Sequence, residues 1–422
     1  MDSKPVTISI VGAGKRGEAY AKYASQHPDL LRVVAVAEPR EIQRTRMAEQ
    51  YGIAPENCFR TCDEFAKQPR LSDAVAICTQ DRMHLAAVES LAPLGYAILL
   101  EKPMSPALEE CERIVAAVKK HGNLFAVCHV LLYTDLTTRL RELLQQGVVG
   151  EIVSVQHLEP VAWWHQAHSF VRGNWRNEAE SSFMLMAKSC HDIDWMRHIV
   201  GKHCRRVGSF GSLRHFKASE RPVGAADRCW DCPSAIETNC PYSAKRLYYE
   251  NFGLSKTADY INDVITEGKN TREAVEHALR TGPYGRCVYA CDNDVVDNQV
   301  VVLEYDGPVT ATFTMTAFTP AVHRTTRIFG TRGYIDTDFV KIKVFDFTTE
   351  KETVYDTSVD PNSATAASGH GGGDYHIMRQ FVKAIATGDA SGIYSGADES
   401  LESHRIVFAA EQARREGRIV EL

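Results

Sequence analysis

The sequence has no apolar run approaching the ~18 residues a membrane-spanning helix needs, which argues against a helical membrane anchor. Its opening stretch, MDSKPVTISIVGAG, carries no apolar leader core and no small-residue cleavage site, so the expectation is a cytoplasmic protein without a signal peptide. It also lacks any excess of positive charge. Lys and Arg number 48 against 54 Asp and Glu, the net charge is −6 and the pI is near 6.3. That leaves no basic field for nucleic acid and no cationic surface for an acidic membrane. There is no low-complexity tract and no repeat at a fixed period, so a repeat array is not expected.

What is present is a chain of 422 residues, 44% apolar, long enough for a full core and two domains. Twelve cysteines are spread along it. Cys78, Cys128 and Cys190 lie in apolar runs and read as small core residues. In a reducing compartment a clustered set points to a metal before it points to a disulfide.

Residues 6–11, VTISIV, read as a buried strand and are followed at once by GAGKRG. Gly12, Gly14 and Gly17 have the G-x-G-x-x-G spacing that opens a helix: Gly12 permits the tight turn, Gly14 lets backbone approach a pyrophosphate, and Gly17 lets helix pack on strand. A second strand, 30–37, ends in Glu38, about 20 residues past the loop, where an acid meets the ribose hydroxyls. Glu38 argues for NAD, and Arg40 leaves NADP open. Strands at 73–79, 97–103 and 124–130 alternate with helices at 41–51, 84–95 and 107–122, which implies a doubly wound parallel sheet. Ligands bind beyond the carboxyl ends of such strands. Thr79 and His84 fall at one end, Glu101 and Lys102 at another. Pro103 restricts Lys102 to extended backbone, and the Lys102–Pro103 bond is a candidate for cis.

The loop VGAGKRG, the acid Glu38 and above all Glu101-Lys102-Pro103 after the fifth strand resemble the Gfo/Idh/MocA family of NAD(P)-dependent oxidoreductases, over essentially the whole chain. The resemblance implies a Rossmann domain over 1–130 and a substrate-binding and oligomerisation α+β domain over 131–422 with a large, mostly antiparallel open sheet. It implies that Lys102 sits beside the nicotinamide and the reacting hydroxyl. Cofactor contacts are expected from Gly12, Gly14, Lys15, Arg16, Gly17, Glu38, Arg40, Thr79, His84, Glu101 and Lys102.

In the second part, 136–150 reads as a helix and 151–160 as a strand. WWHQAHSFVRGNW, 163–175, holds three Trp and two His in thirteen residues and reads as an aromatic loop. Trp163, Trp164, His165, Arg172 and Trp175 suit a sugar, whose C–H face stacks while its hydroxyls pair. Residues 183–201 carry an apolar helical stripe, with Lys188 and His191 three apart on another face. His191 matches the family's catalytic histidine. The aspartate usual four residues before it is Ala187 here, so Lys188, Asp192 or Asp194 is left to fill that role.

Residues 228–246 contain Cys229, Cys232 and Cys240, a C-x2-C-x7-C pattern that suggests a structural zinc with Cys287 as fourth ligand; Cys291, Cys204 and His203 are alternatives. Residues 300–318 read as a hairpin turning at Asp306-Gly307, with Thr310, Thr312, Thr314 and Thr316 on one face, and strands follow at 324–337 and 340–347. Residues 361–373 read as a loop that brings His370 or Asp374 near the active site, ahead of helices at 374–388 and 397–417. The expected activity is hydride transfer between a secondary alcohol of a sugar, glycoside or polyol and NAD(P), with Lys102, His191 and Lys188 catalytic. The alternative is an NAD-dependent glycoside hydrolase or lyase working through a transient 3-keto sugar. A homodimer or homotetramer is expected.

Overall fold

The computed structural model describes residues 4–320, 323–358 and 370–422. The first sheet holds β1 (Val6–Val11), β2 (Leu31–Ala37), β3 (Cys58–Phe59), β4 (Ala74–Ile77), β5 (Ala97–Leu100) and β6 (Phe125–Val127). All its pairs are parallel, in the order β3-β2-β1-β4-β5-β6. β4 and β5 are buried at every position, because helices cover both faces and continuous apolar sequence has nowhere wet to point. The helix Leu108–His121 shows how the helices are specified. Cys111, Ile114, Val115 and Val118 form its buried stripe, Lys119, Lys120 and His121 complement the dipole in the last turn, and left-handed Gly122 ends it.

The second sheet has nine strands: β7 (Ile152–Pro160), β8 (Cys204–Ser212), β9 (Asn298–Tyr305), β10 (Val309–Thr316), β11 (Thr325–Gly330), β12 (Gly333–Thr337), β13 (Lys341–Asp346), β14 (Lys351–Asp356) and β15 (Val420–Glu421). Their order is β14-β13-β12-β11-β7-β10-β9-β8-β15, antiparallel except for β7 against β10. Along β10, Ala311, Phe313 and Met315 are buried under the helix Cys190–Val200, while the threonines face outward. On that outer face Phe210, Val300 and Val302 stand exposed.

Two stretches depart from expectation, and a third element has no counterpart in the reading of the sequence. Residues 183–201 form two helices, Met184–Ala187 and Cys190–Val200, with a break at Lys188-Ser189. The stretch expected as an aromatic loop is helical: Trp163–His165 runs into a π-helix, Gln166–Arg172, because its apolar and aromatic residues pack inward. A helical hairpin, Lys256–Ile265 and Arg272–Thr281, follows the cysteine segment. Residues 361–369 of the expected loop lie outside the described residues.

The close packing of strand and helix at the glycine loop is checkable. A Cβ on Gly17 would stand 2.2 Å from the Gly12 carbonyl oxygen and 3.0 Å from Ile10 Cγ2. Gly17→Ala is expected to cost about 1–3 kcal/mol by overpacking, read by denaturant unfolding. An unchanged midpoint would contradict this packing.

Candidate active site

The cofactor side is built where β1 meets the helix Lys15–Gln26. Gly12 has φ +94°, and a Cβ there would stand 2.6 Å from the Cys78 carbonyl oxygen, so only glycine makes this turn. Around Gly14 the nearest atom to an added Cβ is Arg40 Nη2 at 3.4 Å, which leaves its backbone approachable. Glu38 is buried at the end of β2. It accepts from the Ala13 N–H (2.9 Å) and from Arg40, whose Nε and Nη2 fork onto it at 2.7 and 3.0 Å. Burial pushes this carboxyl up, and the hydrogen bonds from Arg40 and Ala13 outweigh it and hold the group below its ordinary value. The Thr79 hydroxyl is buried with no partner among the described residues. Open backbone at a helix N-terminus, an anchored acid at the ribose position and an orphan hydroxyl at the strand ends fit a dinucleotide.

The E-K-P turn follows β5, and Lys102–Pro103 is cis. Glu101 does not face the cofactor groove as expected. It accepts from Arg16 Nε (2.6 Å), the Tyr20 hydroxyl (2.6 Å) and the Lys102 N–H (2.7 Å). Arg16 also forks onto Asp374, at 3.1 and 2.7 Å, which ties the glycine loop to the helix Gly373–Thr387. His84 is likewise structural rather than a cofactor ligand. It is fully buried, its Nδ1 within 2.9 Å of the Pro103 carbonyl and its Nε2 3.2 Å from the Thr79 carbonyl. It braces the backbone just past Lys102.

Lys102 Nζ crosses to the second half of the chain and donates to the Ala187 carbonyl at 2.8 Å, at the helix break. One residue on is Lys188, whose Nζ lies 3.0 Å from Glu159 Oε1 on β7. His191 opens the next helix. It is 6% exposed, and its Nδ1 is buried with no partner among the described residues. Its ring centroid lies 5.7 Å from that of His129 and 6.1 Å from that of His370. Burial, then Lys102, His129 and His370, push its pKa well below the usual imidazole value, so it is neutral at pH 7. His165 is likewise pushed well down, by burial, then Lys188, His168 and Lys102.

The carboxylate that meets Lys188 is Glu159, not Asp192 or Asp194. It is 0% exposed and pairs with both Lys188 and Arg324 Nη2 (2.8 Å). Asp192 instead pairs with Arg324 Nε (2.5 Å) and His157 Nε2 (2.9 Å), and Asp194 with Arg197 (3.7 Å). None of Glu159, Arg324, His157 or His129 was singled out from sequence. Glu159 ends an alternating strand and gives no local sign of its partner 29 positions later.

The substrate candidates divide. Trp164 stacks on His165 (5.3 Å) beside Lys188. Trp163 packs against Tyr242 (6.2 Å) and Trp175 against Phe170 (6.4 Å). Arg172 does not face a sugar: it is 0% exposed, with Nε on the Arg286 carbonyl (2.8 Å) and Nη2 on the Tyr242 carbonyl (2.7 Å). Its Nη2 also reaches Cys229 Sγ at 3.6 Å. Cys229, Cys232, Cys240 and Cys287 do line one small cavity. Yet no group of three or more His, Cys, Asp or Glu among the described residues is arranged to hold a metal ion. The expected zinc is therefore not supported, and a guanidinium lies against Cys229.

A doubly wound parallel sheet with a glycine loop at one strand end and, at another, a lysine reaching toward a buried histidine is the architecture of a dinucleotide-dependent enzyme. The sequence comparisons agree. The oxidoreductase-family model of the NAD-binding Rossmann fold matches residues 6–129, and the same family's C-terminal alpha/beta domain matches 141–422. The chain belongs to the Gfo/Idh/MocA family. YteT of Bacillus subtilis (strain 168) is 22% identical over 351 residues, 79% of each chain. The 2,7-anhydro-N-acetylneuraminate hydratase of Escherichia coli (strain K12) is 24% identical over 218 residues, 50% of this chain and 54% of that one. A levoglucosan dehydrogenase solved with NADH and levoglucosan shares the fold, with a TM-score of 0.71, 18% identity and 99% of each chain covered.

The buried imidazoles set an acid limit on stability. Burial pushes His129 down to about 3, helped by Arg197 and Lys102; His404 is also held at about 3, by burial and by His129. Between about 3 and 6.5 the unfolded chain binds these protons and the folded chain does not. Stability is therefore full above about 6.5 and drains as pH falls, by about 1.4 kcal/mol per unit for each group. The thermal midpoint is expected to fall steadily from pH 7 to 4, and more shallowly in His129→Gln. An identical slope in that variant would contradict the assignment.

Proposed function

We propose that this enzyme oxidises a secondary alcohol of a sugar, glycoside or polyol with NAD, and that Lys102 and His191 carry the reaction. The observation behind this is the Lys102 ammonium bound to the Ala187 carbonyl, four residues before a neutral His191 with a free buried Nδ1. A bound dinucleotide supplies the hydride acceptor at C4 of its nicotinamide. Lys102 keeps two N–H donors beyond the one given to Ala187, and directs them at the reacting oxygen to stabilise its growing negative charge. His191 accepts the hydroxyl proton at Nδ1 as the C–H bond breaks, because its surroundings keep it unprotonated at neutral pH. Lys188, fixed by Glu159, holds a second cation at the same cleft. Glu38 receives the ribose hydroxyls, with Arg40 committed to it. The named activities of relatives, which act on levoglucosan and on an anhydro sugar acid, support the carbohydrate class.

His165 favours a second reading. It is another neutral imidazole beside Lys188 and Lys102. Oxidising a sugar hydroxyl to a ketone acidifies the neighbouring C–H, and a second base then completes an elimination that cleaves the glycosidic bond. The hydratase among the relatives lends weight to chemistry of this kind. In either case we place a second copy of the chain on the open sheet, over Phe210, Val300 and Val302, and the enzyme in the cytoplasm.

The test is absorbance at 340 nm with NAD or NADP and a panel of sugars, polyols and aryl glycosides, with product chromatography and sedimentation of the same preparation. Stoichiometric NADH with a keto-sugar is expected from an oligomer, with turnover cut about 10²–10⁴-fold in Lys102→Met and His191→Asn. Glycoside cleavage without net NADH would select the second reading. No conversion of any carbohydrate would overturn both, and a single-chain mass would overturn the oligomer.

A further inference from the structure

Lys15 and Arg16 are adjacent in the glycine loop, and each is ion-paired with an acid from the second half of the chain. Arg16 meets Asp374; Lys15 meets Asp263, on the inner helix of the hairpin Lys256–Thr281. The hairpin is firmly seated on its own side. Ile261, Ile265, Val275 and Leu279 are buried against Leu247 and Tyr248, and Asn262 Nδ2 donates to the Tyr248 carbonyl at 3.0 Å. Ser255 and Thr271 cap its two helices. Its connecting turn is tightly specified, with Glu267, Gly268 and Asn270 all at positive φ and the Thr266 hydroxyl bonded at both ends, to the Asn262 carbonyl (2.7 Å) and from the Asn270 N–H (2.9 Å).

The turn then touches the opposite bank of the cofactor groove. The Glu267 carbonyl accepts from Gln43 Nε2 at 3.4 Å, and Gly268 lies against the Arg46 guanidinium, where an added Cβ would meet Nη2 at 2.7 Å. Gln43 and Arg46 belong to the helix Glu41–Tyr51, which follows the ribose acid Glu38. The hairpin therefore reaches Lys15 at the pyrophosphate loop and Gln43 and Arg46 beyond the ribose position.

We infer that the hairpin Lys256–Thr281 is a latch across the adenosine half of the dinucleotide site, fastened by Asp263 on Lys15 and by Glu267 on Gln43, and that it retains the cofactor between turnovers. This rests on the dinucleotide reading of the groove. A sugar oxidised and then reduced again during one visit needs no cofactor exchange, so retention suits the second reading of the function. Retention also suits reoxidation in place, by hydride return to the carbonyl carbon of a second carbohydrate.

The test reads cofactor release and not turnover. Purified full-length protein is loaded with NADH, chased with excess NAD, and the loss of bound-NADH fluorescence is timed. Nucleotide carried through purification is measured by chromatography of the denatured protein. Wild type is expected to purify with nucleotide and to release NADH slowly. Asp263→Asn should release it about two- to fivefold faster, as loss of a partly exposed ion pair allows. Asp263→Glu should restore slow release, and Glu273→Gln, an exposed acid on the hairpin's other helix, should match wild type. Equal release rates in Asp263→Asn and Glu273→Gln would overturn the latch. No NADH binding by wild type would overturn the dinucleotide reading itself, and the latch with it.

Discussion

The Arg16 guanidinium is the constraint on which the arrangement depends. It stands between Glu101 at the end of β5 and Asp374 at the start of a late helix, with the Tyr20 ring and hydroxyl beside it. Two carboxylates so deeply buried are tolerable only with a cation between them, and removing that cation leaves uncompensated buried charge. One side chain thus sets the glycine loop, the E-K-P turn and the end of the segment bearing His370 relative to each other. Asp374 is held well below the ordinary carboxylate range although burial pushes it up, because Arg16 and His370 face it.

From that anchor the chemistry follows by short steps. Glu101 also accepts the Lys102 N–H, and His84 grips the carbonyl of Pro103, so the backbone on both sides of Lys102 is fixed. The side chain can then span to the second half of the chain. The helix break at Lys188-Ser189 presents the Ala187 carbonyl to it, and turns Lys188 onto Glu159. Behind Glu159 run Arg324 and Asp192, a buried row of alternating charge, and Asp192 meets His157, whose ring stacks on that of Trp195 at 5.0 Å. Such a row is costly to desolvate, and it is held by packing on both sides; its effect is to fix the Lys188 ammonium in one place.

The parallel sheet was readable because its signals are local: apolar strands, glycines at set spacing, an acid at the end of the second strand, and E-K-P at the fifth. The hairpin at Asp306-Gly307 was readable for the same reason. Partners distant in sequence were not. Arg172 looks like a sugar ligand among tryptophans, yet a π-helix turns it inward onto three backbone and thiol groups. His84 sits at a ligand-bearing strand end and faces the Pro103 and Thr79 carbonyls instead. The break after Ala187 has neither proline nor glycine to announce it. The cysteines were expected to hold zinc, but C-x2-C spacing does not set where each sulfur points or that Arg172 lies against Cys229. The hairpin at 256–281 carries ordinary caps and an ordinary apolar stripe, and only the fold shows that it crosses the cofactor groove.

The sheet edge and the broken helix together would hold a carbohydrate carbon where a bound nicotinamide takes its hydride. The most direct measurement uses a converted sugar or glycoside deuterated at the carbinol carbon, with the nucleotide recovered from denatured enzyme and read by mass spectrometry. Deuterium is expected in the nicotinamide with wild type, and at a rate about 10²–10⁴-fold lower with Lys102→Met or His191→Asn. A carbohydrate transformed by wild type while the nucleotide stays unlabelled would contradict this.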